Sequence, residues 1–359
     1  MDVLQSEGVR LGLFAPDTTL TVTPLAFNPL NAVTGAINAI SWEGGSAVRK
    51  HVTHNGDGAD HWAPSQDPQH FNYWRREVLA YTTDLPARLK LDAPALLGHE
   101  TCADGSHVLW LEKVEGRTGL DVTMADLERT AYDLGAGQGR REQPQDDWLS
   151  RSYIRTYGAS KPSDYRLLED AATWRHPLVA RNWPPAIRTA MKELNDHRGW
   201  YQDLLDRLPR TVCHLDVWPN NLVVRANGSP ALLDWSFTGE GAIGEDISNL
   251  IPDAVLDLLV PASDIEQLEA SVIDGYLQGL ESAEFEGDPT HVLLAVYAAA
   301  VKYHWLAPIF LSRLGDEEHL AYGRPIDPDV LYAERGVALE LLARWAAKAR
   351  TLARELGFS

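Results

Sequence analysis

The stretch His214-Leu215-Asp216-Val217-Trp218-Pro219-Asn220-Asn221-Leu222-Val223-Val224-Arg225-Ala226-Asn227-Gly228-Ser229-Pro230-Ala231-Leu232-Leu233-Asp234-Trp235 decides how the rest of the chain is read. Asn227-Gly228 between two apolar runs signals a β-hairpin, because both central positions of a two-residue turn want positive φ. A hairpin centred on that dipeptide places Asn221 opposite Asp234 at its open end. Directly opposed residues have Cβ atoms about 4.5 to 5.5 Å apart. An amide oxygen and a carboxylate at that spacing can share one hard cation, and Mg²⁺ takes oxygen ligands completed by water and substrate phosphates. Asn220 is the second choice as ligand, because its register sends it to the other side of the ribbon. Asp216 lies five residues before Asn221 in a loop delivered to the same end. The metal does not need it, so it is free to accept a proton or position a hydroxyl.

Upstream of this stretch the chain reads as strands with one helix. Leu20–Pro24, Ala36–Trp42 and Ala47–Thr53 are short, β-branched or alternating segments separated by turn residues, with Gly44-Gly45 marking a hairpin. Phe71, Trp74, Val78 and Leu79 recur at helical spacing, which predicts one helix over 70–82. A further strand covers Val108–Val114 and ends at Gly116. From there the pattern turns helical: Thr123 with Asp126 three residues later is a capping signature. Pro184-Pro185 opens a helix running to about Leu208, and the region after Asp264 is almost wholly helical. The expected architecture is α+β: a small β-rich lobe over 1–115 and a larger, mostly helical lobe over 116–359.

Within this frame, His-x-Asp-x-x-x-x-Asn followed by a hairpin and an Asp resembles the catalytic and metal loops of the protein-kinase-like fold. The closer resemblance is to the aminoglycoside phosphotransferase and choline kinase family, where the second motif is similar to Leu233-Asp234-Trp235. The resemblance implies a two-lobed kinase fold and extends upstream. Ala47-Val48-Arg49-Lys50 is similar to the strand whose lysine holds the α- and β-phosphates, and Arg76-Glu77-Val78-Leu79-Ala80-Tyr81 to the helix whose glutamate pairs with that lysine. Leu109-Trp110-Leu111-Glu112-Lys113-Val114-Glu115-Gly116 resembles the hinge, where the backbones of Glu112 and Val114 would meet adenine. The resemblance further implies that Asp216 is the catalytic base, that Asn221 and Asp234 hold Mg²⁺, and that His214 is a structural residue of the catalytic loop. Gly244-Glu245-Asp246 with Leu250 resembles the element that follows the metal Asp. The nucleotide loop, Asn28–Ala36, departs from the pattern, since Gly35 is its single glycine; phosphates would meet Thr34, Asn31, Gly35 or nearby backbone. Late helices of the family line the acceptor pocket, which makes Trp305 a substrate candidate. The acidity of the chain would suit a cationic acceptor by steering and direct pairing, with Glu245, Asp246, Asp253 and Asp257 as substrate candidates without an assigned role.

Charge and composition agree with a small-molecule enzyme. The 359 residues hold 32 Lys plus Arg against 51 Asp plus Glu, a net charge of −19. No basic run is present to neutralise phosphates, so nucleic acid recedes as a partner. Two cysteines, Cys102 and Cys213, cannot build a disulfide framework or a zinc site by themselves. The opening residues lack a signal-peptide pattern, the longest apolar run, Val292–Val301, is too short for a membrane span, and the expected location is cytoplasmic. Trp42, Trp74, Trp110 and Trp183 are expected to fill cores. The leading expectation is transfer of the γ-phosphoryl group of ATP, or GTP, to a hydroxyl of an aminoglycoside-like or amino-sugar acceptor. A kinase of a sugar, choline-like amine, amino acid or nucleoside antibiotic is the alternative within the class. Two readings from other classes are a non-haem iron oxygenase using His214, Asp216 and His291 or His304, against which the helical second half argues, and a catalytically silent nucleotide-binding module.

Overall fold

Five strands form one antiparallel sheet in the order β1-β2-β3-β5-β4, with β1 Thr21–Pro24, β2 Thr34–Trp42, β3 Gly45–Val52, β4 Leu96–Thr101 and β5 His107–Glu112. The computed structural model describes residues 3–140, 143–321 and 323–358. The β2–β3 turn is the pair Glu43-Gly44, with Trp42 opposite Gly45 and Gly44 at φ +89°. Strand β4, unforeseen in the sequence, carries only part-buried and exposed side chains, so its alternation was weak. One face of the sheet is covered by α1 Val3–Arg10, where Leu4 and Leu11 pack with Phe14 and Trp42 over Ile40, Ala47, Val108 and Trp110. Arg49 on that face is buried against Glu7, Nε to Oε2 at 2.6 Å, and Trp110 Nε1 donates to the same oxygen at 3.2 Å. Trp74, Trp110 and Trp183 are core residues as expected, and Trp42 is half-buried.

The helix expected over 70–82 is shorter, α2 Arg76–Thr82. Residues 65–75 instead form a loop closed by a bridge between Ser65 and Tyr73, and their carbonyls are used elsewhere. The fully buried guanidinium of Arg76 donates to the carbonyls of Phe71 at 2.7 Å, Pro68 at 2.6 Å, His70 at 2.9 Å and Ser236 at 3.3 Å. Carbonyls turned onto a side chain cannot also serve a helical ladder. A single turn, α3 Leu85–Arg88, follows.

Past the hinge, α4 Met124–Gln138 begins with the expected capping box, Thr123 with Asp126. It lies closely against the later helix Ile265–Ser282, where a Cβ on Gly279 would stand 2.1 Å from Tyr132 O. Short helices follow: α5 Tyr153–Ala159, α6 Ala171–Trp174 and α7 Pro177–Asn182. The helix expected from Pro184 to Leu208 breaks at His197 into α8 Pro185–Asp196 and α9 Arg198–Arg207. Strands β6 Arg210–Cys213 and β9 Gly239–Ala242 pair with each other and bracket the hairpin β7 Leu222–Val224 and β8 Pro230–Leu232. The remainder is α10 Glu245–Leu256, α11 Ile265–Ser282, α12 Pro289–Ala298, α13 Leu306–Ser312 and α14 Pro328–Glu355. The apolar run ending at Val301 sits in α12 and the tight turn Ala299–Tyr303; of the most apolar window between Pro289 and Ser312, 78% is buried inside the fold.

The hairpin register differs by one from expectation. Leu222 faces Leu232 and Val224 faces Pro230, and the Arg225 N–H donates to Ser229 O at 2.9 Å. The loop is therefore the three residues Ala226-Asn227-Gly228. Only Gly228 takes positive φ, +85°, while the Asn227 side chain accepts the Ser229 N–H at 3.0 Å. That is the three-residue alternative to the two-residue turn. In consequence Leu233, not Asp234, donates its N–H to Asn221 O, at 2.9 Å.

Candidate active site

Asp216 stands at the end of a loop held from behind. Leu215 has φ +66°, a left-handed conformation that a branched side chain adopts at a cost. Its N–H and that of His214 are both received by the buried carboxylate of Asp246, at 2.6 and 2.8 Å, and Gln138 Nε2 donates to the same carboxylate at 2.6 Å. Asp246 is thus turned wholly inward, at 0% exposure, and does not reach the cleft as a substrate contact. Glu245 is also turned away: it accepts the Ala242 N–H at 2.9 Å, and burial pushes its pKa up to about 7. His214 Nδ1 accepts the Asp216 N–H at 3.3 Å, which leaves Nε2–H to donate to Leu233 O at 2.9 Å. Burial holds this ring below the usual histidine range, in keeping with a neutral tautomer fixed by two backbone partners. His214 therefore ties the Asp216 loop to the residue preceding Asp234.

Asn221 turns its amide NH₂ to Asp216, donating to Oδ2 at 2.7 Å and to the backbone oxygen at 2.9 Å. Its side-chain oxygen accepts no hydrogen bond among the described residues. Asp234, at φ +58°, leaves the strand direction and presents a side chain that is 39% exposed. Lys50 Nζ meets Asp234 Oδ1 at 3.1 Å and Glu77 Oε2 at 2.7 Å. Burial alone would lower the Lys50 pKa, but the carboxylates of Asp234 and Glu77 raise it, so the ammonium stays charged. Burial also acts on Asp234, and the Lys50 charge with the Ser236 hydroxyl more than offsets it. Asp216 has no such cation in contact. Burial pushes it up to about 7, Asp234 and Asp253 add to the rise, and Lys302 and Asn221 oppose it. The carboxylate–amide pair offered by Asp234 and Asn221 is an all-oxygen donor set, which suits a hard divalent ion that keeps water and phosphate ligands. Among the described residues no three His, Cys, Asp or Glu side chains gather as a metal site.

The hinge is stitched to the hairpin. Arg117 and Val224 exchange N–H···O bonds of 3.0 and 2.8 Å, and a Cβ on Gly116 would stand 2.1 Å from Val224 O. Arg225 donates to Glu112, 2.5 and 2.9 Å, and to Asp92 at 2.9 Å. Of the two backbones expected to meet adenine, the Glu112 N–H is occupied by Ala95 O at 2.8 Å, whereas Val114 makes no backbone bond among the described residues. The nucleotide loop is also tied up. The N–H groups of Asn31, Ala32, Val33 and Thr34 reach Asn28 O, Trp62 O, Asn31 Oδ1 and Asn31 O, and Gly35 is confined by the His51 ring, 2.5 Å from where its Cβ would be. Thr34 and Gly35 therefore open β2 with the neighbouring backbone donors already spent.

On the other side of Asp216 lie residues that no motif marked: Tyr153, Tyr157, Lys161 and Lys302, with Asp253 3.9 Å from Lys302 Nζ. Trp305 belongs here, its ring 6.2 Å from that of Tyr157. The one sequence signal was Lys302 itself, a charge closing the most apolar run of the chain. A cavity of about 390 Å³ between α11 and α12, lined by Asp274, Leu277, Phe285 and Pro289 among others, includes none of these residues.

A family model described as APH, phosphotransferase enzyme family, matches residues 75–289. No curated protein sequence matches the chain. Among solved structures, the aminoglycoside phosphotransferase APH(4)-Ia is similar with a TM-score of 0.52 at 12% identity, over 96% of this chain and 99% of that one. The amicoumacin kinase hAmiN, in complex with AMP-PNP, Ca²⁺ and Ami, is similar with a TM-score of 0.51 at 15% identity, over 92% of this chain and 88% of that one. The fold is protein-kinase-like.

Proposed function

The chain belongs to the phosphotransferase enzyme family, and from that premise we propose a small-molecule kinase that moves the γ-phosphoryl group of ATP, or GTP, onto an acceptor hydroxyl with Asp216 as base. The observation that carries this reading is the cluster itself: a half-buried Asp216 poised near neutrality, bonded to Asn221, and facing an Asp234–Lys50–Glu77 chain of charges. A carboxylate with a pKa near the working pH suits proton transfer. Lys50, steadied by Glu77, would neutralise the α- and β-phosphates. Asn221 and Asp234 would hold Mg²⁺, which when bound draws charge from the phosphoryl oxygens. Asp216 would take the hydroxyl proton as the acceptor oxygen bonds to phosphorus and the bridging bond to the nucleoside diphosphate breaks. Most of the acceleration in such transfers comes from positioning and electrostatics. Val114 would meet adenine through its unbonded backbone groups, with Glu112 fixed beside it, and the lobe boundary falls at 115/116. Opening of the Asn28–Gly35 loop would be needed before it could touch phosphate.

The experiment is coupled nucleoside-diphosphate release with Mg²⁺ and ATP or GTP across aminoglycosides, amino sugars, choline-like amines and hydroxy acids. Asp216→Asn is expected to lower kcat by about 10²-fold or more and leave the nucleotide KM within about twofold. Normal turnover by that variant sinks the assignment. Amino sugars and hydroxy acids are run side by side in that panel, so that the sign of the charge an acceptor carries is read directly from the rates.

A further inference from the structure

Lys161 occupies a cage of rings beside Asp216. Its Nζ lies 3.7 Å from the centre of the Tyr157 ring, 4.3 Å from that of Trp62 and 5.1 Å from that of Trp305. Ring faces attract a cation but accept none of the three N–H donors of an ammonium in ordinary hydrogen bonds. No carboxylate, carbonyl or hydroxyl among the described residues receives them. Lys302 has a buried ammonium over the same Tyr157 ring, 5.5 Å from its centre, and the one carboxylate within ion-pair reach among the described residues, Asp253, is at 3.9 Å. Two ammonium groups, Lys302 buried and Lys161 half-buried, thus lie against one tyrosine ring with Asp216 and Asp253 acting on them only from a distance, and donors so placed want an acceptor.

We propose that the missing acceptor is an anionic group on the substrate, a carboxylate in the simplest case, bound between Lys161 and Lys302 while the neighbouring hydroxyl meets Asp216. This deepens the kinase reading and rests on Asp216 being the base. The strain in the free site is of the matching sign, since burial and the Lys302 charge together bring Lys161 down to about 7. An anion arriving there restores the charged lysine and satisfies its donors. The rival occupant, an ammonium-bearing ligand, would have to evict Lys161 from its cage and then lie against Lys302.

Lysine labelling separates these outcomes, because an amine partly neutral at pH 7 is open to acylation and its modification is read by mass spectrometry. Glycolate and glucuronate, hydroxy carboxylates, are expected to slow labelling of Lys161 at least fivefold and saturably, whereas glycolamide, glucose and glucosamine leave it unchanged. Lys161→Met is expected to raise KM for a hydroxy-acid acceptor tenfold or more, with the nucleotide KM and the Tm rise caused by Mg-ATP kept. Faster labelling with glucosamine or choline means eviction by an ammonium and overturns the proposal. Protection by Mg-ATP alone assigns the lysines to the transferred phosphoryl group and overturns it too, as does an absence of protection by every probe. Protection without any phosphoryl transfer sinks the kinase reading and leaves the anion site; transfer to amino acceptors without protection does the reverse.

Discussion

Asp216 is pushed up to about 7, chiefly by burial, so its basic form is lost as pH falls through neutrality. Log kcat/KM is expected to fall by about one per pH unit below that point. Lys302 is the cation that holds the value down, and Lys302→Met is expected to move the acid limb to higher pH; a limb that stays put means the titrating group is another. The convergence of Lys50 with Glu77 and Asp234, and of Asp216 with Asn221, was legible in the sequence because the motifs that carry the resemblance keep those residue types in a fixed order around two loops. Lys161 and Lys302 were not, because they meet only at the Tyr157 ring, where the residues after α5 come against the turn Ala299–Tyr303, 141 positions apart in the chain. Asp246 was misjudged as a substrate contact for a related reason: a carboxylate that caps two backbone N–H groups looks the same in sequence as one that faces a ligand.

At the level of elements, the lobes and their order were readable from periodicity, and the errors concentrate where side chains capture backbone. Arg76 shortened the expected helix, and the Asn227 side chain changed a two-residue turn into a three-residue one. The consequence of the second is that Asp234 reaches the cleft by leaving the strand rather than by facing Asn221. Arg225 joins this hairpin to the hinge, and Arg225→Ala is expected to raise the nucleotide KM several-fold with kcat little changed, measured by initial rates; a fall confined to kcat would refute the positioning role. The α4–α11 contact has its own test. A Cβ at position 279 would stand 2.1 Å from Tyr132 O, so Gly279→Ala is expected to cost about 1–3 kcal/mol and lower the Tm while activity at low temperature persists.

Across the whole molecule, the direct contact of Lys50 on the sheet with Asp234 beyond the hinge joins the two lobes. Ligand binding should therefore report on global stability. At a hundredfold excess over Kd a ligand adds about 2.7 kcal/mol, which in a chain of this length raises Tm by about 4 °C. Mg-ATP is expected to do this in a thermal melt, and Asp234→Asn to lose the Mg²⁺-dependent part. The same strand has a second anchor. Arg49, next to Lys50, has its one direct ion pair among the described residues with Glu7 of the first helix, and removing one member of such a buried pair costs about 3–5 kcal/mol. Trimming the opening dozen residues to tidy a recombinant preparation would strand that guanidinium one position from Lys50, so the choice of where a purification tag is cut bears directly on whether the Lys50–Glu77–Asp234 cluster survives.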